Sequence, residues 1–216
     1  MAARVSVIIP ALDEAARIGA TIDAALAAGA AEVIVADGGS RDATAGIARA
    51  HGAQVVTGER MRARQLNAGA RAASHDVLLF LHADTLLPAG ACDAAAAAIE
   101  RGATFGGFRI AFIEPGLERV AWFINARTRL TRQPWGDQAQ FIRRDAFPGF
   151  REIPLMEDYA LARRMRRAVI LPLAVRTSGR RFLAKGILRT AMVNWLIIAG
   201  YHLGVAPERL ARWYRR

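Results

Sequence analysis

The sequence predicts an α/β fold in which helices flank a mostly parallel central sheet, with a helical tail at the C-terminal end. Short apolar runs, typical of strands buried on both faces, alternate with segments whose apolar residues recur at helical spacing. The connections between them are short, which favours right-handed strand–helix–strand units. With 216 residues, the chain is long enough for one sizeable core but not for two full domains.

The first half of the chain alternates regularly between the two types of element. In its first predicted helix, Ile18, Ile22 and Leu26 lie on one face. The predicted strands cover 4–10, 32–37, 53–57 and 76–83, and the predicted helices cover 15–28, 42–51, 62–73 and 90–101. We therefore expect four parallel strands here.

The second half is less regular. Its predicted elements are a strand at 104–113, a helix at 117–130, a strand at 138–143, a helix at 157–167, two short strands near Val169 and Val175, and tail helices at 185–203 and 207–216. No internal repeat or low-complexity linker marks a domain boundary, so we expect one domain with a helical tail.

The chain is strongly basic, with 30 Lys or Arg residues, 19 Asp or Glu residues and a formal charge of +11. Lys185 is the only lysine, and the arginines are spread through the predicted helices and are not interleaved with aromatic residues on a recognisable binding module. This distribution does not match a nucleic-acid-binding module, whereas anionic diphosphates or acidic lipid headgroups would be attracted equally well. We expect a phosphate-bearing small molecule, and no nucleic acid, as the partner.

Cys92 is the only cysteine, which excludes an intramolecular disulfide and a cysteine-based zinc cluster. A reducing cytoplasm fits this, and the first apolar run is too short for a secretory leader. The most apolar late segment, 191–205, is interrupted by Asn194, Gly200 and His202 and falls short of the ~20 residues of a spanning helix. We therefore expect a cytoplasmic protein whose late helix lies in the core or at an interface.

Two aspartates stand where predicted strands end. One apolar run ends at Asp37, and another ends at Asp84. Ligands of open α/β sheets collect beyond the carboxyl ends of parallel strands, and acidic groups gathered there stand out in a basic chain. Together they predict a site for a nucleotide and a cation. Taken singly, each aspartate is also explained as a cap of the helix that follows it.

Three motifs carry a resemblance to a known family. They are V-I-I-P-A-L-D-E at 7–14, D-G-G-S-R-D-A-T at 37–44 and H-A-D at 82–84. In this order and spacing the chain resembles family 2 glycosyltransferases of the GT-A fold, over roughly residues 5–167. Within that family it is most similar to the bacterial radical-SAM/selenodomain-associated subgroup, on the segments 136–138, 154–158, 189–190 and 207–210.

The resemblance implies a division of the chain and a reaction. The catalytic domain would span 1–180, with a nucleotide-binding half at 1–104 and an acceptor half at 105–180, followed by the tail at 181–216. The reaction would move a sugar, with inversion, from a nucleotide sugar to a hydroxyl acceptor; a UDP sugar is favoured, and a lipid is one candidate acceptor. The Q-x-x-R-W motif of processive relatives is missing, so we expect non-processive transfer.

For the donor nucleotide, the resemblance implies contacts from five residues. Pro10 and Glu14 would line the nucleoside pocket, and Asp37 would accept a hydrogen bond from the nucleobase. Arg64 and Asn67 lie where the family makes further nucleotide contacts, and Arg64 can pair with phosphate. The alternative for Arg64 is a solvated helix face.

For the metal, the resemblance implies Asp84 as a ligand of Mg²⁺ or Mn²⁺. Such hard cations commonly bind through one or two carboxylates together with substrate phosphates. His82 stands where the family usually has another Asp. Its imidazole brings no negative charge; it is a ligand better suited to Mn²⁺, a ribose contact or a packed strand residue.

For the chemistry, the resemblance implies an acidic pair at a helix start that faces the acceptor, here Glu157 and Asp158. Asp158 is expected to be the general base of a one-step inverting displacement, with Glu157 as the rival for that role. The alternative is that both acids only favour the positive end of the helix.

Further substrate contacts are implied at the donor sugar, which Gly107 would let approach the backbone closely, on the acceptor side and at the diphosphate. They are Gly107, Trp135, Gly136, Asp137, Gln138 and Arg181. Trp135 would stack on a sugar, Asp137 or Gln138 would bind hydroxyls, and Arg180 or Arg181 would contact the diphosphate. A packed core tryptophan and a strand bulge at the glycines are the alternatives.

The tail and two other activities complete the expectations. The tail at 181–216 either packs on the domain, forms a homodimer interface or makes peripheral contact with the inner face of a membrane. One competing function is a sugar-phosphate nucleotidyltransferase, although the glycine-rich phosphate loop of such enzymes is missing after the first strand. The other is a catalytically weakened nucleotide-sugar-binding or membrane-associated interaction protein, which the histidine at position 82 favours.

Overall fold

The structure, a computed structural model, describes residues 3–165 and 167–215 and confirms the α/β class. Within these residues, eight strands form one sheet in the order β3-β2-β1-β4-β7-β6-β8-β5. The strands are β1 Val5–Ala11, β2 Glu32–Asp37, β3 Gln54–Thr57, β4 Val77–Phe80, β5 Thr85–Leu86, β6 Phe105–Phe112, β7 Phe141–Arg143 and β8 Val169–Thr177. Only β7 and β5 run opposite to the other strands, so the sheet is mostly parallel, as predicted.

Helices cover both faces of this sheet. They are α1 Ile18–Ala27, α2 Thr44–Ala50, α3 Arg62–Ala72, α4 Ala91–Glu100, α5 Glu118–Thr131, α6 Glu157–Met165, α7 Arg180–Lys185, α8 Ile187–His202 and α9 Pro207–Arg215. Two short 3₁₀ turns, Gly136–Gln138 and Arg144–Ala146, flank β7. The predicted helix at 157–167 includes Arg166, and the one at 207–216 includes Arg216; both residues lie outside the described part of the chain.

Strand β1 shows how the core is divided. Val7 and Ile9 pack into a cluster with residues of α1 and α4, whereas Ile8 packs into a second cluster with residues of α3 and α6. Successive strand side chains point to opposite faces, so a strand covered on both sides is apolar at every position. A Cβ at Gly69 would lie 2.4 Å from Ile8, so α3 packs closely against β1.

The prediction of two short strands near Val169 and Val175 is wrong, because both belong to β8. Its pairing with β6 passes from Phe108 opposite Leu171 to Arg109 opposite Ala174, which leaves Pro172 and Leu173 unpaired. Proline has no backbone N–H to donate, so an irregularity lets the strand continue past it. The predicted strand at 138–143 is likewise shorter, because 136–138 form a 3₁₀ turn.

The tail consists of α7, α8 and α9, and sequence reasoning missed the first of them. Gly186, with φ at +83°, separates α7 from α8. Helix α9 packs on α8: Leu210 is buried, and a Cβ at Gly200 would lie 2.7 Å from it. Among the described helices, none is long and apolar enough to cross a membrane.

Candidate functional site

A cavity of about 570 Å³ opens at the carboxyl ends of β1 and β4, the edge where open α/β sheets bind ligands. Its lining comes from the loop after β1, the start of α3, the residues after β4 and the start of α7. The lining residues are Pro10, Ala11, Leu12, Glu14, Arg60, Met61, Arg62, Gln65, His82, Ala83, Asp84 and Arg180. Four of the candidate residues, Pro10, Glu14, His82 and Asp84, therefore share one cavity.

Asp37 stabilises the turn that follows β2. Its carboxylate accepts hydrogen bonds from the backbone N–H groups of Gly39 (3.1 Å) and Ser40 (3.0 Å) and from the Ser40 hydroxyl. Gly39 has φ at +85°, a conformation that favours glycine. The aspartate thus stabilises its own turn instead of capping α2. A hydrogen bond from a nucleobase to Asp37 stays a prediction.

Sequence reasoning missed Gln65, a buried residue of the cavity lining. Its amide nitrogen donates to the carbonyl oxygens of Ala11 (2.8 Å) and Ala36 (2.9 Å). These two carbonyls lie at the C-terminal ends of β1 and β2, so one side chain joins both strand ends to α3. A long amide in the first turn of the helix was the only signal in the sequence.

Asp84 and Glu14 share one positively charged partner. Nη2 of Arg180 lies 3.2 Å from Asp84 Oδ2 and 3.4 Å from Glu14 Oε1. Burial raises the pKa of the Asp84 carboxyl, an effect that Arg180 opposes and Glu14 reinforces. Glu14 also pairs with Arg17 at 3.0 Å. Two carboxylates that reach the same guanidinium nitrogen offer oxygen donors that fit a divalent cation, whose shell phosphate oxygens and water would complete. In the described chain, no group of three or more His, Cys, Asp or Glu side chains is arranged to hold a metal.

Arg180 is positioned by the junction between β8 and α7. Glu114 accepts hydrogen bonds from the Ser178 hydroxyl (2.8 Å) and the Gly179 N–H (2.6 Å). A Cβ at Gly179 would lie 2.1 Å from Leu117, so only glycine fits there without a shift. The Ser178 N–H also donates to the carbonyl of Asp84 (3.1 Å), which joins the two cavity segments through the backbone.

His82 lies against a cation. Nε2 of its ring contacts the Arg62 guanidinium, whose Nε is 3.2 Å from Glu157 Oε1. Burial, reinforced by the charge of Arg62, holds the pKa of His82 well below its usual 6.5. His82 is therefore neutral at pH 7 and does not replace a second carboxylate. Arg62, which sequence reasoning also missed, supplies the positive charge at this end of the cavity.

The acidic pair at the start of α6 divides into a buried and a partly buried member. Glu157 is buried and paired with Arg62; burial raises its pKa, Arg62 opposes this and Asp158 reinforces it. Asp158 Oδ2 accepts a hydrogen bond from the Gly136 N–H at 2.6 Å. Met156, just before the pair, has φ at +71°, a strained conformation for a residue with a side chain.

Gly136 is where the two halves of the site meet. A Cβ at this position would lie 2.8 Å from Asp158 Oδ2, 2.8 Å from His82 Nε2 and 3.1 Å from Arg62 Nη2. The candidate base, the histidine of the H-A-D motif and the α3 arginine therefore all surround one backbone position. Glycine is required at position 136 because neighbouring side chains occupy the space of a Cβ, and not because the backbone has a positive φ.

Gly136→Ala is expected to lower kcat about 100-fold, because the added methyl group would displace Asp158 or His82 from their present positions. Steady-state assays of sugar transfer measure this. Gly46→Ala is the matched control, since a Cβ there meets no atom within 4 Å and should leave kcat unchanged. Full activity in Gly136→Ala would show that catalysis does not depend on the close packing of Asp158, His82 and Arg62 around this glycine.

Arg127 and Trp135 form one wall of the predicted acceptor half. The Arg127 guanidinium lies 3.6 Å from the centroid of the Trp135 ring, and the edge of Tyr159 packs against the same ring at 6.1 Å. Burial lowers the pKa of Arg127 to about 10. Trp135 is only partly buried, so one part of its surface is accessible to a ligand.

Gln138 is a structural residue of this wall. It is fully buried; its oxygen accepts from the Thr128 hydroxyl (2.8 Å) and from Arg127 Nη2 (3.1 Å), and its nitrogen donates to the carbonyl of Phe108 (2.9 Å). An acceptor hydroxyl could bind this amide only by breaking those bonds. Of the two hydroxyl-binding candidates, Asp137 is the accessible one.

Asp137 carries a buried oxygen, Oδ1, without a hydrogen-bond partner in the described structure. Burial raises its pKa to about 6; Arg127 opposes this and Asp158 reinforces it. The residue as a whole is partly exposed, so a ligand can reach it although that oxygen is shielded. Because Oδ1 itself is shielded, it is not the atom that a substrate hydroxyl meets in this arrangement, and the contact between Asp137 and a substrate hydroxyl stays a prediction.

Asp137→Asn is expected to raise the Tm of the unliganded protein by about 2–6 °C near pH 7.5, an advantage that disappears near pH 4. Because the pKa is about 6 in the folded chain against the ordinary 3.8, the folded state binds the proton more tightly, and stability falls as pH rises through this window. Calorimetry across the pH range measures it. Asp145→Asn, at an exposed ion pair with Arg143, is the control and should show no such advantage. An equal Tm for Asp137→Asn and the unaltered protein at every pH would contradict the burial argument.

Two predicted nucleotide contacts on α3 face away from the cavity. Arg64 pairs with Glu59 and, at 2.9 Å, with Glu152, and these bonds raise its pKa. Asn67 exchanges two hydrogen bonds with the backbone of Phe150, at 2.9 and 2.8 Å. Neither residue lines the cavity. Arg62 and Gln65, on another face of α3, line it instead.

Gly107 and Arg181 are also placed elsewhere. A Cβ at Gly107 would lie 2.6 Å from Pro134, so this glycine packs closely against protein atoms, and its contact with the donor sugar stays a prediction. Arg181 stacks on Tyr214 at 3.4 Å and donates to its carbonyl at 3.1 Å. Of the two adjacent arginines, Arg180 is the one that lines the cavity.

Comparison with known proteins gives one family and a set of similar folds. The family described as glycosyl transferase family 2 matches residues 6–157. No curated protein matches the chain. Glucosyl-3-phosphoglycerate synthase from Mycobacterium tuberculosis, solved with Mn²⁺, UDP and glucosyl-3-phosphoglycerate, is 20% identical over 81% of this chain and 71% of its own, with a TM-score of 0.58.

Other solved structures share the fold. The same mycobacterial enzyme solved with Mg²⁺ and UDP is 20% identical over 81% of this chain and 70% of its own, with a TM-score of 0.58. S. aureus TarS is 19% identical over 81% of this chain, with a TM-score of 0.63, although only 36% of its own chain is covered. These likenesses agree with the predicted GT-A fold.

Proposed function

The chain belongs to glycosyl transferase family 2, and on that premise we propose that it moves a sugar from a nucleotide sugar to a hydroxyl acceptor in a single inverting, non-processive step. The observation that carries the proposal is the cavity at the ends of β1 and β4, which holds acidic and basic groups together and meets Asp158 at Gly136. A UDP sugar is the favoured donor, since a protein of similar fold binds UDP.

A divalent cation, Mn²⁺ or Mg²⁺, would be held by Asp84, with Glu14 and His82 as neighbouring donor groups. When bound, it would neutralise the charge that develops on the diphosphate leaving group. Arg180 and Arg62 both line this cavity and would pair with phosphate oxygens. Arg180 now holds both carboxylates and would turn from them to the phosphates when a cation takes its place.

Asp158 would accept the proton of the acceptor hydroxyl as that oxygen attacks the sugar carbon. Its Oδ2 is fixed by the N–H of Gly136, the residue that separates Trp135 from Asp137 in the chain. Glu157 is less suited to this role, because it is buried and neutralised by Arg62. Trp135 and Asp137 would orient the acceptor.

Several finer predictions stay open to test. They are the membership of the radical-SAM/selenodomain-associated subgroup, the cytoplasmic location, the homodimer and the lipid acceptor. One observation favours a weakened, ligand-binding relative as a second candidate function: His82 is neutral and contacts Arg62, so the cavity has one carboxylate fewer than the family motif implies.

The proposal is tested by calorimetry and thermal shift with UDP, GDP, dTDP and CMP, each with Mn²⁺, Mg²⁺ or neither, because selective binding stabilises the fold. Cation-enhanced binding of one nucleotide is expected and would choose the sugars for a turnover assay. Binding without sugar transfer or donor hydrolysis would favour the second candidate. If no nucleotide binds, the donor-site proposal fails.

A further inference from the structure

The outward face of α8 is a continuous apolar stripe. Six side chains at helical spacing are exposed there, and we call them the α8 stripe: Leu188, Met192, Trp195, Leu196, Ala199 and Leu203. Leu188 is 86% exposed, Trp195 71% and Leu203 82%. The opposite face of the same helix is buried at Thr190 and Ile197. The sequence alone did not separate these two faces, because the segment is apolar nearly all round.

The other tail helices do not cover the stripe. Helix α9 packs on the side of α8 that carries Gly200, through Leu210. Helix α7 precedes the stripe and adds the exposed side chain of Leu183. An apolar patch that spans four helical turns and stays exposed is typical of an interaction surface.

The charge of the tail identifies the kind of partner. Residues 180–215 contain seven Lys or Arg residues and one acidic residue, Glu208, so this segment carries more than half of the formal charge of the whole chain. Arg209 and Arg212 are exposed on α9, and the indoles of Trp195 on α8 and Trp213 on α9 are exposed in the same tail. A tail that exposes apolar, tryptophan and arginine side chains together matches the interface of an anionic bilayer.

We propose that the α8 stripe docks on an anionic lipid surface, with α8 lying in the plane of the interface. The stripe would enter the headgroup region, and the exposed α9 arginines, Arg209 and Arg212, would pair with lipid phosphates. A second copy of the chain is a poorer occupant, because it would bring two strongly basic tails together. The helix lies on the surface and does not cross it, since no described helix is long and apolar enough to span a membrane.

One end of the stripe is tied to the helix that carries Asp158. His202, next to Leu203, contacts the Tyr159 hydroxyl through Nε2 (2.9 Å) and Arg163 through Nδ1 (2.9 Å). Docking would thus hold the acceptor side of the site close to the lipid surface. This step rests on the proposed function, and it makes the acceptor a hydroxyl compound carried by the membrane.

The test is co-sedimentation with vesicles of phosphatidylcholine and phosphatidylglycerol, and with vesicles of phosphatidylcholine alone. The unaltered protein is expected to bind the anionic vesicles, more weakly at high salt. Leu188→Ser should weaken binding about tenfold and Leu188→Ser with Trp195→Ser about 100-fold, since less apolar surface is buried. Leu26→Ser, at an exposed leucine of α1, is the matched control and should bind like the unaltered protein.

Two outcomes would overturn the docking proposal. One is equal vesicle binding by the unaltered protein and the stripe variants. The other is a dimer in analytical ultracentrifugation that Leu188→Ser dissociates, which would make a second copy the occupant. Calorimetry with UDP and Mn²⁺ on the same variants keeps the two proposals apart: lost vesicle binding with retained UDP binding supports docking, whereas absent UDP binding in every protein speaks only against the donor site.

Discussion

Asp158→Asn is expected to lower kcat about 10²–10⁴-fold, while the affinity for UDP with its cation stays within about twofold. The amide cannot take the proton of the acceptor hydroxyl. Its carbonyl oxygen can still accept a hydrogen bond from the Gly136 N–H, so the backbone at Gly136 stays in position. Turnover assays at saturating substrate measure the first effect, and calorimetry with UDP measures the second.

Glu157→Gln is the control for this experiment. It keeps the shape of a buried side chain but removes the charge that pairs with Arg62, so its main expected effect is on Tm. A larger loss of kcat in Glu157→Gln than in Asp158→Asn, with both proteins folded, would assign the base to Glu157 and exclude the role proposed for Asp158.

Asp84→Asn is expected to weaken cation-dependent UDP binding about 100-fold, equivalent to about 3 kcal/mol, and to remove most of the thermal stabilisation by UDP with Mn²⁺. The amide keeps the size of the side chain but not the charge that a divalent cation requires. Calorimetry with and without Mn²⁺ measures the change. The control is Asp23→Asn, because Asp23 is an exposed residue of α1 that pairs with His51.

The unliganded stability of Asp84→Asn separates lost binding from lost folding. Burial raises the pKa of Asp84 above its ordinary 3.8, so the ionised carboxylate costs the folded state stability, and this cost grows as pH rises through the shifted pKa. The Asn variant should therefore have a Tm at pH 7 no lower than that of the unaltered protein. Unchanged cation-dependent UDP binding in a folded variant would rule out Asp84 as the ligand.

The parallel half of the sheet could be predicted because burial on both faces leaves a mark in the sequence. Strand β2 has the predicted bounds, and the observed bounds of β1 and β3 lie within one residue of the predicted ones. A short, continuous apolar run such as Val33–Ala36 is typical of a strand that is buried on both faces. The tail could not be divided correctly, because α7 depends on Gly179 fitting against Leu117 and its six residues lack helical periodicity of their own.

Within the site, the sequence predicted which strand-end residues line the cavity, but it did not predict which face of α3 does. Asp84 follows from its place after β4, since the topology fixes where that strand ends. On α3, Arg62 and Gln65 reach the cavity whereas Arg64 and Asn67 do not. The choice between these pairs depends on how the helix is rotated against β1, and polar residues on both sides of it left no periodic signal.

The pairing of Arg180 with Glu14 and Asp84 sets the order in which the protein can become functional during its synthesis. Arg180 and Glu14 are 166 residues apart in the chain, and the segment that matches the family ends at residue 157. As the ribosome delivers the chain from its N-terminus, the first four parallel strands can assemble early, but the nucleotide cavity is complete only when α7 has emerged. A newly made chain that stops short of α7 would lack Arg180, the cationic partner that Glu14 and Asp84 share in this cavity.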